Sequence, residues 1–135
     1  FSGTARYTRS FKLSSVEVAK DRRVYLDLGY VGDVATVRVN GREVGILWKA
    51  PYIADVTEFI KLGENALEID VSNLWINRLV GDQKLPLEQR KTNTNLTAHD
   101  FYKRMTEPDA DKYLRVSGLI GPVEIRISNL HRIDD

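Results

Sequence analysis

The dipeptide Asn40-Gly41 constrains this chain more than any other feature. Both residues accept the positive φ that a two-residue β-hairpin loop requires, and apolar alternation flanks them on either side. Residues 37–39 are therefore predicted to fold back on residues 44–48. Val44, Ile46 and Trp48 then share one face, which makes Trp48 a core residue. Gly45 stands in mid-strand, where a missing side chain permits close backbone approach or a bulge.

Period-two alternation recurs on both sides of the hairpin. In residues 4–13, Tyr7, Phe11 and Leu13 line one face against Thr8, Ser10 and Lys12. Arg9 falls on the apolar side, so it either pairs with a buried carboxylate, the favoured reading, or lies near the strand's wet end. Val24, Leu26 and Leu28 form a second strand ended by Gly29. After a turn at Gly32-Asp33, Ala35, Val37 and Val39 form a strand expected to lie beside it. Asp55 caps a predicted helical turn over 56–62, with Glu58 as its reciprocal partner and Gly63 as the stop. Leu67, Ile69 and Val71 alternate cleanly with Glu68, Asp70 and Ser72.

From Asn73 to Asp82 the pattern breaks into an irregular connection, and residues 82–112 read as a long surface excursion, with one helical turn over 97–105. Residues 117–122 read as a turn before a closing strand at Val123, Ile125 and Ile127. At least six strand signals without a long amphipathic helix spell an all-β protein, an antiparallel β-sandwich whose first and last strands pair. With no repeat and no second composition regime, residues 1–135 are expected to form a single domain. The strand-like start without a Met suggests a piece of a longer polypeptide.

Composition narrows the function classes. The net charge of +1, with no Lys/Arg cluster, gives nucleic-acid binding no support. With no cysteine, thiol nucleophiles, disulfides and thiolate metal sites are excluded. No apolar run approaches the ~20 residues that cross a bilayer, so no membrane partner is expected, and the opening residues lack the order of a signal peptide. His99 and His131 stand far apart in no ligand spacing, and no nucleophile elbow or phosphate loop is present. The segment Glu107-Pro108-Asp109-Ala110-Asp111 has the carboxylates for a structural calcium but not the full loop pattern, and is read as a solvated acidic turn. No other cofactor is expected. Asn95-Leu96-Thr97 matches a glycosylation sequon, a short pattern that arises by chance.

One constellation remains: Trp75, Asn77, Arg78 and Asp82, with Asn73 and Tyr52. Sugar recognition needs flat aromatic faces against pyranose C–H patches, and planar amide, guanidinium and carboxylate groups for paired hydroxyls. These six residues supply both kinds, and are the candidate carbohydrate contacts. Asn73, Asn77 and Arg78 serve equally well to satisfy backbone groups.

Several ordered segments carry a family resemblance. Tyr7-x-Arg9-x-Phe11-x-Leu13, the LDLG run ending at Gly29, VRVNGREVG from Val37, Asp55-Val56-Thr57 and LGENALEIDVSN from Leu62 resemble the sugar-binding domain of glycoside hydrolase family 2. LWKAPY from Leu47, NLWINRLVGD from Asn73 and SGLIGPV from Ser117 look closer to the C-terminal β-sandwich of family 106 α-L-rhamnosidases. The likeness covers nearly the whole chain apart from the loop between Leu85 and Tyr113. It implies a galactose-binding-domain-like jelly roll, and a non-catalytic accessory domain of a large bacterial polysaccharide-degrading hydrolase. In that family the catalytic carboxylates reside on a separate barrel, so no catalytic residue is expected in this chain. The implied partners are a carbohydrate, the catalytic domain of a parent chain, or both, in a periplasmic or extracellular setting.

Overall fold

The predicted alternation becomes sheet. The computed structural model describes residues 2–92 and 110–130. Among them are nine strands: β1 (Thr4–Leu13), β2 (Arg22–Asp27), β3 (Tyr30–Gly32), β4 (Val34–Val39), β5 (Arg42–Leu47), β6 (Ile53–Asp55), β7 (Gly63–Ser72), β8 (Gly118–Gly121) and β9 (Glu124–Asn129). One α-helix, α1 (Ile76–Gln83), and two short 3-10 helices, Leu87–Gln89 and Ala110–Tyr113, complete the elements. The strands pair antiparallel in the orders β1-β7-β4-β5, β6-β2-β9 and β3-β8. This is an antiparallel β-sandwich, as the alternation predicts.

The chain divides into two compact units. One comprises residues 4–72 and 117–130 and holds every strand; the other comprises residues 2–3, 73–92 and 110–116 and holds α1 and both 3-10 helices.

In the strand-bearing unit, alternate residues converge on one core. Val24, Leu26 and Leu28 meet Ala35, Val37 and Val39 and, from β7, Leu67, Ile69 and Val71, all buried. Each such side chain contributes about 1.5–3 kcal/mol by leaving water. The hairpin forms as predicted, with Asn40 at φ 52° and Gly41 at φ 76°. Asn40 does more than turn the chain: its Nδ2 donates to the Phe59 carbonyl at 2.9 Å and its Oδ1 accepts from the Ala66 N–H at 3.0 Å.

The hairpin also corrects the placement of Trp48. Val37 opposes Gly45 while Arg38 opposes Glu43, so Val44 is an extra residue, a β-bulge. Beyond the bulge the faces exchange. Val44 and Leu47 pack on the core, and Ile46 and Trp48 are 56% and 66% exposed. The Lys49 ammonium lies 5.2 Å from the Trp48 ring centroid, a cation–π contact at the surface.

Other expectations are corrected too. The segment over 117–122 contains β8, paired with β3, with the turn-type φ values of 98° and 76° confined to its two end residues, Gly118 and Gly121. Gly29 and Gly121 approach so closely that a Cβ on Gly29 would stand 2.4 Å from the Gly121 backbone. The first and last strands do not pair: β1 runs along β7 for its full length, and β9 along β2. β2 and β4 belong to different sheets, with β3 intervening between them in the chain. Over 56–62 the expected turn forms, with the Phe59 and Ile60 N–H groups on the Val56 carbonyl at 2.9 and 3.2 Å and Asp55 accepting from the Thr57 N–H at 2.9 Å and the Thr57 hydroxyl at 2.6 Å, but Glu58 does not return a bond to the cap. The predicted helical turn over 97–105 lies outside the described residues.

In the helical unit, Val80 is buried against Ile76, Leu79 and Tyr113. The helix was hidden in the sequence because its N-cap residue, Trp75, provides no side-chain cap and Gly81 lowers helix propensity. Its i, i+3, i+4 apolar triad is the signal that was available.

Candidate functional site

Five of the six nominated residues lie in the helical unit or at its edge, and the structure gives each a definite place. Asn73 bonds to Gly3 twice: its Oδ1 accepts the Gly3 N–H at 2.9 Å, and its own N–H donates to the Gly3 carbonyl at 3.2 Å. Asn77 clamps one residue of a distant segment. Its Nδ2 donates to the Arg115 carbonyl at 2.7 Å, and its Oδ1 accepts the Arg115 N–H at 2.8 Å.

Arg78 and Asp82 face each other one helical turn apart, 2.9 Å between Nη2 and Oδ1. The second carboxylate oxygen of Asp82 accepts three bonds, from the Lys91 N–H at 3.0 Å, the Thr92 N–H at 2.7 Å and the Thr92 hydroxyl at 2.7 Å. Burial pushes the Asp82 carboxyl up, but the Thr92 and Lys91 bonds and the Arg78 charge outweigh it, so Asp82 is held below the usual carboxylate range. Asp82 is thus an ionised anchor for the chain leaving α1.

Trp75 differs from these. Its side chain makes no capping bond and is 68% exposed at the start of α1. Leu74, Leu87, Leu114 and Val116 of the same unit are also exposed. Tyr52, in the strand-bearing unit, packs on the core, and its hydroxyl donates to the Asp33 carbonyl at 3.2 Å.

Two charged features of the strand-bearing unit are settled only by the pairing of its strands. On the outer face of the four-stranded sheet, Asp70 receives Arg6 Nε at 2.7 Å, Arg6 Nη2 at 2.8 Å and Arg38 Nη1 at 2.8 Å. Bonds from Arg6 first, then Arg38, hold its carboxyl well below the usual range. The register that places Arg6 opposite Asp70 could be read only from the pairing of β1 with β7. The second is Arg9, which is exposed and makes the favoured pairing with no carboxylate among the described residues; Glu124, lining the same cavity, lies 3.5 Å from Arg126.

Among the described residues, no three His, Asp or Glu side chains are grouped to hold a metal ion. Asp111 is bound to Lys84 at 2.6 Å. Glu107, Asp109, His99, His131 and the sequon at Asn95 lie outside the described residues. No helix among the described residues is long and apolar enough to cross a membrane.

The antiparallel sheets and their shared apolar core define the class as a β-sandwich. The comparisons make the class specific. Residues 2–110 match the glycosyl hydrolase 2 galactose-binding domain-like family, and the chain belongs to it. It is 43% identical over 141 aligned positions to the Formosa agariphila protein named "Putative beta-glucuronidase", covering 94% of this chain and 12% of that protein. The solved rhamnosidase from Novosphingobium sp. PP1Y is similar with a TM-score of 0.76 and 44% identity, over 94% of this chain and 11% of that one. A Lactobacillus rhamnosus beta-glucuronidase superposes with a TM-score of 0.50 and 30% identity, over 54% of this chain and 12% of its own. The chain therefore spans about a tenth of the length of these relatives, a non-catalytic accessory part of larger glycoside hydrolases.

Proposed function

We propose that the chain braces the catalytic domain of a parent glycoside hydrolase, its two units acting together as one galactose-binding-like domain. One observation carries this reading. Asn73, Asn77, Arg78 and Asp82 are committed to their own unit's backbone and to each other, while Leu74, Trp75, Leu87, Leu114 and Val116 stay exposed. A surface that buries its polar groups' bonding capacity and exposes large apolar groups suits a protein neighbour better than a hydroxyl-rich ligand. The relatives' names make a rhamnoside or a glucuronide the parent substrates to test, in the periplasm or outside a bacterial cell. Leu87→Asp in the full-length parent tests the brace. The expected result is a lower melting temperature for the catalytic domain with the isolated chain unchanged; an unaltered parent would refute it.

A second reading rests on Trp75. Its exposed indole offers a flat face for a pyranose, with Asn73, Asn77, Arg78 and Asp82 holding the turn that presents it. Calorimetric titration of the chain with plant and bacterial polysaccharides separates the two. Binding lost in Trp75→Ala, with the fold intact, supports carbohydrate recognition, and no heat with any glycan leaves the brace.

A further inference from the structure

Two adjoining cavities of about 240 and 250 Å³ open in the strand-bearing unit, between β1 on one wall and β8, β9 and the link joining them on the other. They share Arg9, Leu67 and Val123, so they form one groove. Tyr7 and Leu119 stand at one end, joined by the Tyr7 hydroxyl and the Leu119 N–H at 3.3 Å, and Phe11 and Ile125 stand at the other. From Tyr7 to Phe11 is about 13 Å of strand, the length of four or five extended residues.

The chemistry of the groove selects its occupant. Its floor and walls are mostly apolar, which suits apolar side chains better than the hydroxyl-rich faces of a glycan. Arg9 lines both cavities without an ionic partner among the described residues, and Glu124, which lines one of them, is 3.5 Å from Arg126. Among the described residues β1 is hydrogen-bonded on one side only, to β7, and β9 on one side only, to β2. Free strand edges bind extended polypeptide, whose alternate side chains fall toward and away from the groove.

The geometry points to this groove as the docking site of an extended segment of the parent polypeptide, lying outside residues 1–135, with apolar side chains in the cavities and an Asp or Glu on Arg9. This deepens the bracing reading, on which it rests, by naming a contact surface and the neighbour's chemistry. A desolvated guanidinium–carboxylate pair fixes the register of such a segment, because sliding it by one residue would leave both charges unpaired.

The test uses the full-length parent with the photo-crosslinker p-benzoylphenylalanine in place of Val123, which is 40% exposed. The expected product joins position 123 to a peptide from outside residues 1–135 that carries Asp or Glu. Arg9→Glu then lowers crosslinking at least tenfold, with circular dichroism unchanged, and replacing the captured acid by Arg restores it. Crosslinks only within residues 1–135, capture of a glycan, or no effect of the charge exchange would overturn the proposal. Leu87→Asp keeps the two ideas apart: a destabilised parent with a silent crosslinker leaves the brace standing without the groove, and a captured acidic segment with a neutral Leu87→Asp does the reverse.

Discussion

Asn65 in the strand-bearing unit and Asp82 in the helical unit are both buried polar side chains that hold loops, and they differ in how they are satisfied. Asn65 accepts from the Lys61 N–H at 2.8 Å and Asn40 Nδ2 at 2.9 Å, and donates to the carbonyls of Lys61 at 2.8 Å and Gly63 at 3.0 Å. It ties the hairpin turn to the approach of β7 without any charge. Asp82 reaches the same end with a carboxylate, one arginine, two backbone N–H groups and the Thr92 hydroxyl. A neutral amide fits where donors and acceptors are mixed, and a carboxylate fits where donors alone converge. One unit is therefore insensitive to pH at its anchor, and the other is not.

The largest effect should follow Asn65→Ala, which orphans buried N–H and C=O groups around the hairpin. Chemical denaturation should register a loss of about 3 kcal/mol, equal at pH 7 and pH 4.5. A loss under about 1 kcal/mol would mean that water replaces the amide.

Asp82→Asn keeps the shape and removes the charge. Amide exchange at Thr92 should accelerate on the order of tenfold while Lys61 exchange stays as it was. Acceleration at both would show that the two anchors act as one cooperative unit.

Acid gives the same contrast without mutation. Asp82 is depressed in the folded protein, so its contribution is complete above the unfolded value near pH 4 and is lost as pH falls through the lower folded value. Thr92 protection should fall as pH is lowered below about 4, after correction for intrinsic exchange, with Lys61 protection lagging. Asp70, also held low by Arg6 and Arg38, adds an acid-sensitive element to the sheet face. Protection at Thr92 that is flat down to pH 2 would contradict the charged anchor.

The smallest effect belongs to Trp75→Ala, expected to change stability by less than about 0.5 kcal/mol because the indole is exposed. A larger loss would move Trp75 from the surface into the framework of the helical unit.

Particular elements mark how far the sequence could be read. Asn40-Gly41 announced its turn because only a few residue types accept two successive positive φ values. The side of the sheet taken by Trp48 was not legible, since one bulged residue at Val44 exchanges the faces of everything after it. Helix α1 went unread for want of a capping side chain, and β8 because glycine and proline signal turns more often than ladders. The nominated constellation was legible as residue types. That Asn77 grips Arg115 and Asp82 grips Thr92 was not, because those partners are 38 and 10 residues away in the chain.

The sequence by itself determined the strand periods, the turns and the balance of charge, all of which arise from neighbours within a few residues. Only the tertiary structure decided which strands pair, which polar groups are consumed and which charge is left over. Register and burial are set by contacts between distant segments, and Arg9 is the clearest case: its place on an apolar face was readable, and its standing without an ionic partner among the described residues, at the centre of a groove, was not.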